Sequence, residues 1–194
     1  MENVNTMKKL GLAASLVLMC GAIMPAASAT GMDGQQTVMV GGAAMYPSKN
    51  IVENAMNSKD HTTLVAAVKA AGLVGTLEGK GPFTVFAPTN EAFAALPAGT
   101  VDTLLKPENK ATLVKVLTYH VVAGRYTDAD LMRLVDNGNG HAMLKTVEGD
   151  SLTVMNAGND LTLTDSKGGV AHVTIGNVMQ SNGVIQVVDK VLLP

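Results

Sequence analysis

The side chains that could carry out catalysis are few and widely spaced along the chain. No serine lies in a Gly-x-Ser-x-Gly turn, and no histidine follows or precedes a serine at a spacing typical of a hydrolase. Asp128 and Asp130 are paired carboxylates, but Thr127 before them makes this segment resemble a capping box at a helix start. We therefore predict no catalytic residue and no enzyme, and a secreted hydrolase is the weakest of three functional hypotheses.

The histidines are also poorly spaced for binding a metal. The chain has four of them, His61, His120, His141 and His172. Neither a His-x-His nor a His-Glu-x-x-His pattern is present. Residues 136–140, Asp-Asn-Gly-Asn-Gly, resemble a calcium loop in passing, but Val147 stands where such a loop needs a bidentate glutamate. The sequence therefore predicts no metal site and no cofactor.

His120 differs from the other histidines because helical periodicity places it on an apolar face. Leu113, Val116 and Leu117 precede it at spacings of seven, four and three residues. A histidine in such a position either satisfies a buried backbone group or contacts a partner directly. We favour the core interpretation, in which the loss of His120 destabilises the fold and Tyr119 is a core aromatic residue with a paired hydroxyl.

The elements that must position these side chains divide the chain into two halves. Residues 50–71 and 107–120 have apolar residues at helical spacing, whereas after Asp136 short runs of alternating apolar and polar residues are separated by turns. Helices followed by antiparallel strands predict an α+β fold and exclude a doubly wound sheet. No internal repeat is present, so we expect one domain.

A strand, a corner and a short helix join the two halves at Gly81 to Pro97. Phe83 to Ala87 is rich in aromatic and β-branched residues, which predicts a strand. Pro88-Thr89-Asn90 supplies a turn and a helix N-cap, and residues 91–96 form a short helix that Pro97 closes. This segment contains no nucleophile and serves as a structural corner.

Three motifs in this order resemble the conserved segments of fasciclin domains. They are residues 81–97, residues 117–126 (LTYHVVAGRY) and residues 182–194 (NGVIQVVDKVLLP). The resemblance covers roughly residues 46–194 and is closest to single-domain secreted bacterial members. It implies a fasciclin-type β-wedge of packed, mainly antiparallel sheets with the helices clustered to one side. It also implies a secreted or surface-anchored module that acts in cell adhesion.

The resemblance further nominates residues for binding. They are Tyr119, His120, Asn177, Val178 and Met179. Residues 175–179 match the position at which animal members can carry an Asp-Ile integrin-recognition sequence, and in this chain Asn177 replaces the acidic residue. The implied partner is a cell-surface or matrix protein, a glycan, or a second copy of the same chain.

The N-terminal segment has the pattern of a secretory leader. Lys8 and Lys9 form a basic start, residues 10–24 form an apolar run too short to span a bilayer comfortably, and residues 27–29 form a small-residue cleavage site. We therefore predict a signal peptide over residues 1–29, and hence a periplasmic or extracellular protein.

Cys20 and the segment after the leader each leave an alternative open. An acylated Cys20 would attach the mature chain to a membrane, but Met19 before it is not the small residue that such processing uses. Residues 30–45 are glycine-rich and lack a sustained period, so we predict a flexible tether, with a strand at 37–40 as the alternative. Residues 46–194 then form the domain.

The overall composition limits the class of partner. The formal net charge is −2, which lacks the basic excess of proteins that bind nucleic acid or anionic lipid. Hydrophobic residues make up 47% of the chain, enough for an ordinary core and for an internal ligand pocket. A periplasmic carrier of a small apolar ligand is therefore the alternative to an adhesion module, and a ligand-sized cavity would distinguish the two.

Overall fold

The computed structural model describes residues 37–158 and 160–194, so the predicted signal peptide and Cys20 lie outside the described residues. The helices of this part are α1 (Ile51–Asn57), α2 (Thr62–Ala71), α3 (Val74–Leu77), α4 (Asn90–Ala94), α5 (Thr100–Leu105), α6 (Lys110–Tyr119) and α7 (Asp128–Asn137). The strands are β1 (Val38–Val40), β2 (Ala43–Met45), β3 (Phe83–Pro88), β4 (Val121–Ala123), β5 (His141–Lys145), β6 (Ser151–Ala157), β7 (Asp160–Thr164), β8 (Val170–Gln180) and β9 (Gly183–Val188). Short 3-10 turns occupy Lys59–His61 and Pro107–Asn109.

Seven strands form one sheet in the order β4-β3-β9-β8-β7-β6-β5. Neighbouring strands are antiparallel except β3 and β9, which run parallel. The two ends of the sheet approach each other, because Val122 pairs with Thr146 and the Val147 amide donates to the Val121 carbonyl at 2.7 Å. The sheet is therefore a nearly closed wedge, and the predicted α+β class with mainly antiparallel strands is confirmed.

The strand β3 separates two hydrophobic clusters. Because side chains alternate along a strand, Val85 and Ala87 face the helices and Phe86 faces the inside of the wedge. The helix-side cluster includes Ile51, Val52, Leu64, Val68, Leu117 and Ile185. The wedge cluster includes Phe86, Tyr119, Leu131, Leu152, Leu163 and Val188. Burial on both faces favours apolar residues, which explains the composition of β3 apart from Thr84, whose buried hydroxyl is hydrogen-bonded.

A β-hairpin occupies part of the segment for which the sequence predicted a flexible tether. Strands β1 and β2 pair in antiparallel fashion across Gly41 and Gly42, both in the left-handed region with φ of 58° and 74°. Val40 and Met45 are buried in the helix-side cluster, and this burial orders a segment whose sequence has no sustained period. The alternative prediction, a strand at residues 37–40, agrees with β1.

Asn182, in the turn between β8 and β9, fastens the sheet to two helices. Its Oδ1 accepts a hydrogen bond from the Ile51 amide at the start of α1, at 3.1 Å. Its Nδ2 donates to the carbonyl of Leu77 at 2.7 Å and to that of Gly79 at 3.0 Å, both at the end of α3. One buried side chain therefore satisfies three backbone groups that no regular element pairs.

We expect Asn182→Ala to lower the free energy of unfolding by about 2–4 kcal/mol, because it leaves buried backbone groups without partners. Urea denaturation measures this change. Asn156→Ala removes the same side chain at an exposed position of β6 and should change stability by less than about 0.5 kcal/mol. Equal effects of the two substitutions would contradict a fastening role for Asn182.

Candidate binding site

The five nominated residues fall into two groups with separate hydrogen-bond partners. Tyr119 and His120 lie at the end of α6, where both side chains are buried. Asn177, Val178 and Met179 lie in β8 at an irregularity in its pairing with β9. In the second group Val178 is buried in the helix-side cluster, whereas Asn177 is exposed and Met179 is partly exposed.

Tyr119 connects α6 to two parts of the wedge. Its hydroxyl donates to the Ser151 carbonyl at the start of β6, at 3.1 Å. The same hydroxyl accepts from the Ser166 amide between β7 and β8, also at 3.1 Å. Burial raises the pKa of the phenol, so the hydroxyl stays protonated and keeps both bonds.

His120 follows α6 and is 2% exposed. Its Nε2 accepts a hydrogen bond from the Leu192 amide at 2.9 Å, which means that this nitrogen carries no proton. Nδ1 lies 2.8 Å from the Val116 carbonyl and therefore holds the proton of the neutral ring. Burial lowers the pKa of His120 to about 4, so the neutral form predominates at physiological pH.

The surroundings of these two rings limit what they can contact. Leu192, whose amide binds His120, is itself buried, so the C-terminal segment covers the imidazole. Tyr119 has no exposed surface. The contacts of both residues are those of core side chains, and a direct role for them in binding stays a prediction.

Asn177 holds the start of α7 against β8. Its backbone is left-handed, with a φ of 57°, a conformation that asparagine tolerates better than most residues. The Oδ1 atom accepts from the Asp128 amide at 2.8 Å, and Nδ2 donates to Asp128 Oδ2 at 2.9 Å. The Asn177 amide donates to Gln186 Oε1 at 3.1 Å. An exposed residue of the nominated tract is thus fastened by three hydrogen bonds.

Asp128 and Asp130 have different roles although the sequence places both in one helix start. Asp130 forms the predicted capping box with Thr127, which agrees with the interpretation of the pair as a cap. The carboxylate of Asp128 packs instead over Gly176, where a Cβ atom would collide with it. Partial burial raises the pKa of Asp128. Its pairing with Asn177, 49 residues away, has no signal in the local sequence.

One serine and histidine contact exists that spacing does not suggest. Ser58 Oγ lies 2.8 Å from His61 Nδ1, but both residues are 2% exposed, so no substrate reaches the serine in this conformation. Within residues 37–158 and 160–194, no group of three or more His, Cys, Asp or Glu side chains is placed to hold a metal ion. In the same part of the chain, no helix is both long and apolar enough to cross a membrane.

We expect His120 to make the protein less stable as the pH falls from about 6.5 to about 4. The pKa of the His120 imidazole is 6.5 in the unfolded chain and about 4 in the folded chain. This difference in pKa corresponds to a loss of about 3 kcal/mol in the free energy of unfolding. Above pH 6.5 the ring is neutral in both states and adds no pH dependence. Urea denaturation at pH 7 and pH 4 measures the loss.

Two histidine variants isolate this effect from other titrating groups. His120→Gln should show a smaller loss of stability between pH 7 and pH 4 than the wild type, although burial also lowers the pKa of His61 and leaves part of the dependence in place. His172→Gln, at an exposed position, should keep the wild-type dependence. An unchanged pH dependence in His120→Gln would contradict the buried neutral ring.

Asn177→Asp should destabilise the protein by about 1–2 kcal/mol at pH 7, because it places a second carboxylate beside Asp128. The deficit should shrink as the pH falls and Asp128, whose pKa is already raised, takes up a proton. Asn156→Asp adds the same charge at an exposed position and serves as the control in denaturation at both pH values. A deficit in Asn177→Asp that does not change with pH would exclude repulsion as its cause.

Comparison with known proteins places this arrangement in a family. The family model of the Fasciclin domain matches residues 59–194. The chain is 48% identical over 162 residues to protein sll1483 of Synechocystis, covering 82% of each chain. It is 34% identical over 201 residues to the immunogenic protein MPB70 of Mycobacterium bovis, covering 94% of this chain and 92% of that one.

A solved structure confirms the fold independently of sequence identity. The FAS1 domain pair of the insect cell adhesion molecule Fasciclin I superimposes with a TM-score of 0.69 at 16% identity, over 82% of this chain and 58% of the other. The motif order, the closed wedge and the family match agree, and the chain belongs to the fasciclin domain family.

Proposed function

We propose that this protein is a secreted, non-enzymatic binding module that acts in adhesion at the cell surface, in the periplasm or in the extracellular matrix. Membership of the fasciclin family carries the proposal, because a structurally similar domain pair belongs to a cell adhesion molecule. The leader pattern of residues 1–29 supports export. The partner we propose is a surface or matrix protein, a glycan, or a second copy of this chain.

The environment of the reactive side chains supports a binding role over catalysis. The polar side-chain atoms of His120 and Tyr119 form hydrogen bonds with backbone groups of the same chain. The Ser58 and His61 contact is enclosed. A carrier of a whole small molecule is less well supported, because the apolar cavity behind the helices has a volume of about 60 Å³ and ligand pockets typically have about 300–1,000 Å³.

The tract around Asn177 is the surface that we propose for contact. Asn177 is exposed and firmly held, so a partner would meet a side chain already fixed in place. Met179 is partly exposed in the same strand and supplies a flexible apolar contact. Val178 lies between them in sequence and anchors the strand from within the core.

Met179→Gln should weaken binding about fivefold or more without a change in thermal stability, because it removes accessible apolar surface at the proposed contact. The purified protein is tested for binding to whole cells, to matrix-coated surfaces and to itself. Met143→Gln makes the same change at a methionine in β5 that is 67% exposed, and it should leave binding unchanged.

The outcomes separate the possible roles of these residues. A His120→Ala variant that melts early and loses binding in proportion would assign His120 to the core, whereas normal melting with weakened binding would make it a contact residue. Failure of the wild type to bind any of the three surfaces would overturn the adhesion proposal. An equal loss in Met143→Gln and Met179→Gln would remove the Asn177 tract as its contact surface.

A further inference from the structure

Two methionines and one histidine share the outer face of strands β5 and β6. Burial alternates along both strands, so the side chains of His141, Met143 and Met155 point away from the interior of the wedge. Met143 is 67% exposed and Met155 is 43% exposed. Neither thioether belongs to a hydrophobic cluster of the described residues, so core packing does not explain these two methionines.

The register of the two strands brings the three side chains together. His141 pairs directly with Met155, and Met143 pairs with Thr153. Directly opposed residues of an antiparallel pair have Cβ atoms about 5 Å apart, and diagonal neighbours are about 7–8 Å apart. His141 and Met143, two positions apart in one strand, are separated by about 7 Å. A point above this triangle is about 4–5 Å from all three Cβ atoms, so an imidazole and two thioethers can reach one ion there.

The donor atoms are chemically suited to Cu(I). Thioether sulfur is a soft ligand that selects Cu(I), and imidazole nitrogen also binds copper. Calcium and magnesium ions require oxygen ligands, and zinc is bound by thiolates, imidazoles and carboxylates. Among the described residues, the neighbouring positions of this face carry no carboxylate; they are Lys145, Thr153, Ala157 and Thr162. The face therefore favours a soft ion over a hard one.

We propose that His141, Met143 and Met155 form a surface site for Cu(I), with one imidazole nitrogen and two thioether sulfurs as ligands. The ring hydrogen bonds of the described residues involve His61 and His120, so the exposed His141 imidazole is available as a ligand. The site departs from the sequence prediction of no metal site, because strand pairing rather than spacing along the chain brings Met155 to His141. It lies on β5 and β6, whereas the proposed adhesive tract lies in β8, so it does not depend on the adhesion proposal.

Competition with the chromophoric Cu(I) chelator bicinchoninate, in the absence of oxygen, measures the affinity of the purified protein for Cu(I). All samples carry Cys20→Ser, because the thiol of the single cysteine in the chain would itself bind the ion. Met143→Leu and His141→Gln each remove one ligand at an exposed position. Each should raise the dissociation constant about tenfold or more, since even the loss of an outer-shell partner of a metal ligand costs about 10–100-fold.

Two further variants serve as matched controls. Met56→Leu removes a methionine of α1 that is 49% exposed, and His172→Gln removes an exposed histidine of β8. Both should leave the dissociation constant for Cu(I) unchanged. A thermal melt of each variant checks that the fold is kept.

Titration with Ag(I), an air-stable soft ion, locates the site by NMR without any substitution among its ligands. We expect one ion per chain to shift the methyl resonances of Met143 and Met155 and a ring resonance of His141, and to leave the methyl resonance of Met56 in place. Shifts confined to other methionines, an unchanged affinity for Cu(I) in Met143→Leu, or an equal loss in Met56→Leu would each overturn the copper site. Adhesion is measured separately by binding to cells and matrix, so the failure of one proposal is distinguishable from that of the other.

Discussion

The structure depends on burying both faces of one pair of parallel strands. Nearly every residue of β3 and β9 is buried. In β3, Val85 and Ala87 pack against the helices, whereas Phe86 packs inside the wedge. A sheet with only one buried face would not need helices against it. Because these two strands need cover on both sides, the helices form one layer and β5–β8 bend round to form the other.

Two buried polar side chains of this strand pair, Thr84 and Gln186, form hydrogen bonds with the segments around the candidate site. Thr84 Oγ1 donates to the Gly124 carbonyl at 2.8 Å and accepts from the Tyr126 amide at 2.9 Å. Gln186 donates to the Tyr126 carbonyl at 3.1 Å and accepts from the Asn177 amide. The loop before α7 and the irregular part of β8 are therefore held from the centre of the protein, so the accessible tract at Asn177 is built on a rigid base.

His61 and His120 are both 2% exposed but differ in their hydrogen bonds. His120 has partners for both ring nitrogens and behaves as a structural element of the core. His61 Nδ1 pairs with Ser58 Oγ, whereas its Nε2 is buried next to the Ala87 backbone.

The local patterns of the sequence were sufficient to predict the strand and helix at residues 81–97 and the apolar face of the helix before His120. The strand predicted at Phe83 to Ala87 is β3, Thr89 caps α4, and His120 lies on the apolar side of α6, because alternation, capping chemistry and helical spacing are properties of neighbouring residues. The α+β class followed from the same patterns. The family resemblance added the wedge, which periodicity alone does not specify.

Features that depend on contacts between distant segments appear only in the tertiary structure. The hairpin at residues 38–45 is ordered because Val40 and Met45 pack into the helix-side cluster. Asn182 joins the sheet to the helices because its side chain bonds with backbone groups more than 100 residues away. The pairing of Asn177 with Asp128 likewise joins residues that are 49 positions apart in the chain. Sequence determines which side chains can make such contacts, but the packing of distant segments selects which contacts form.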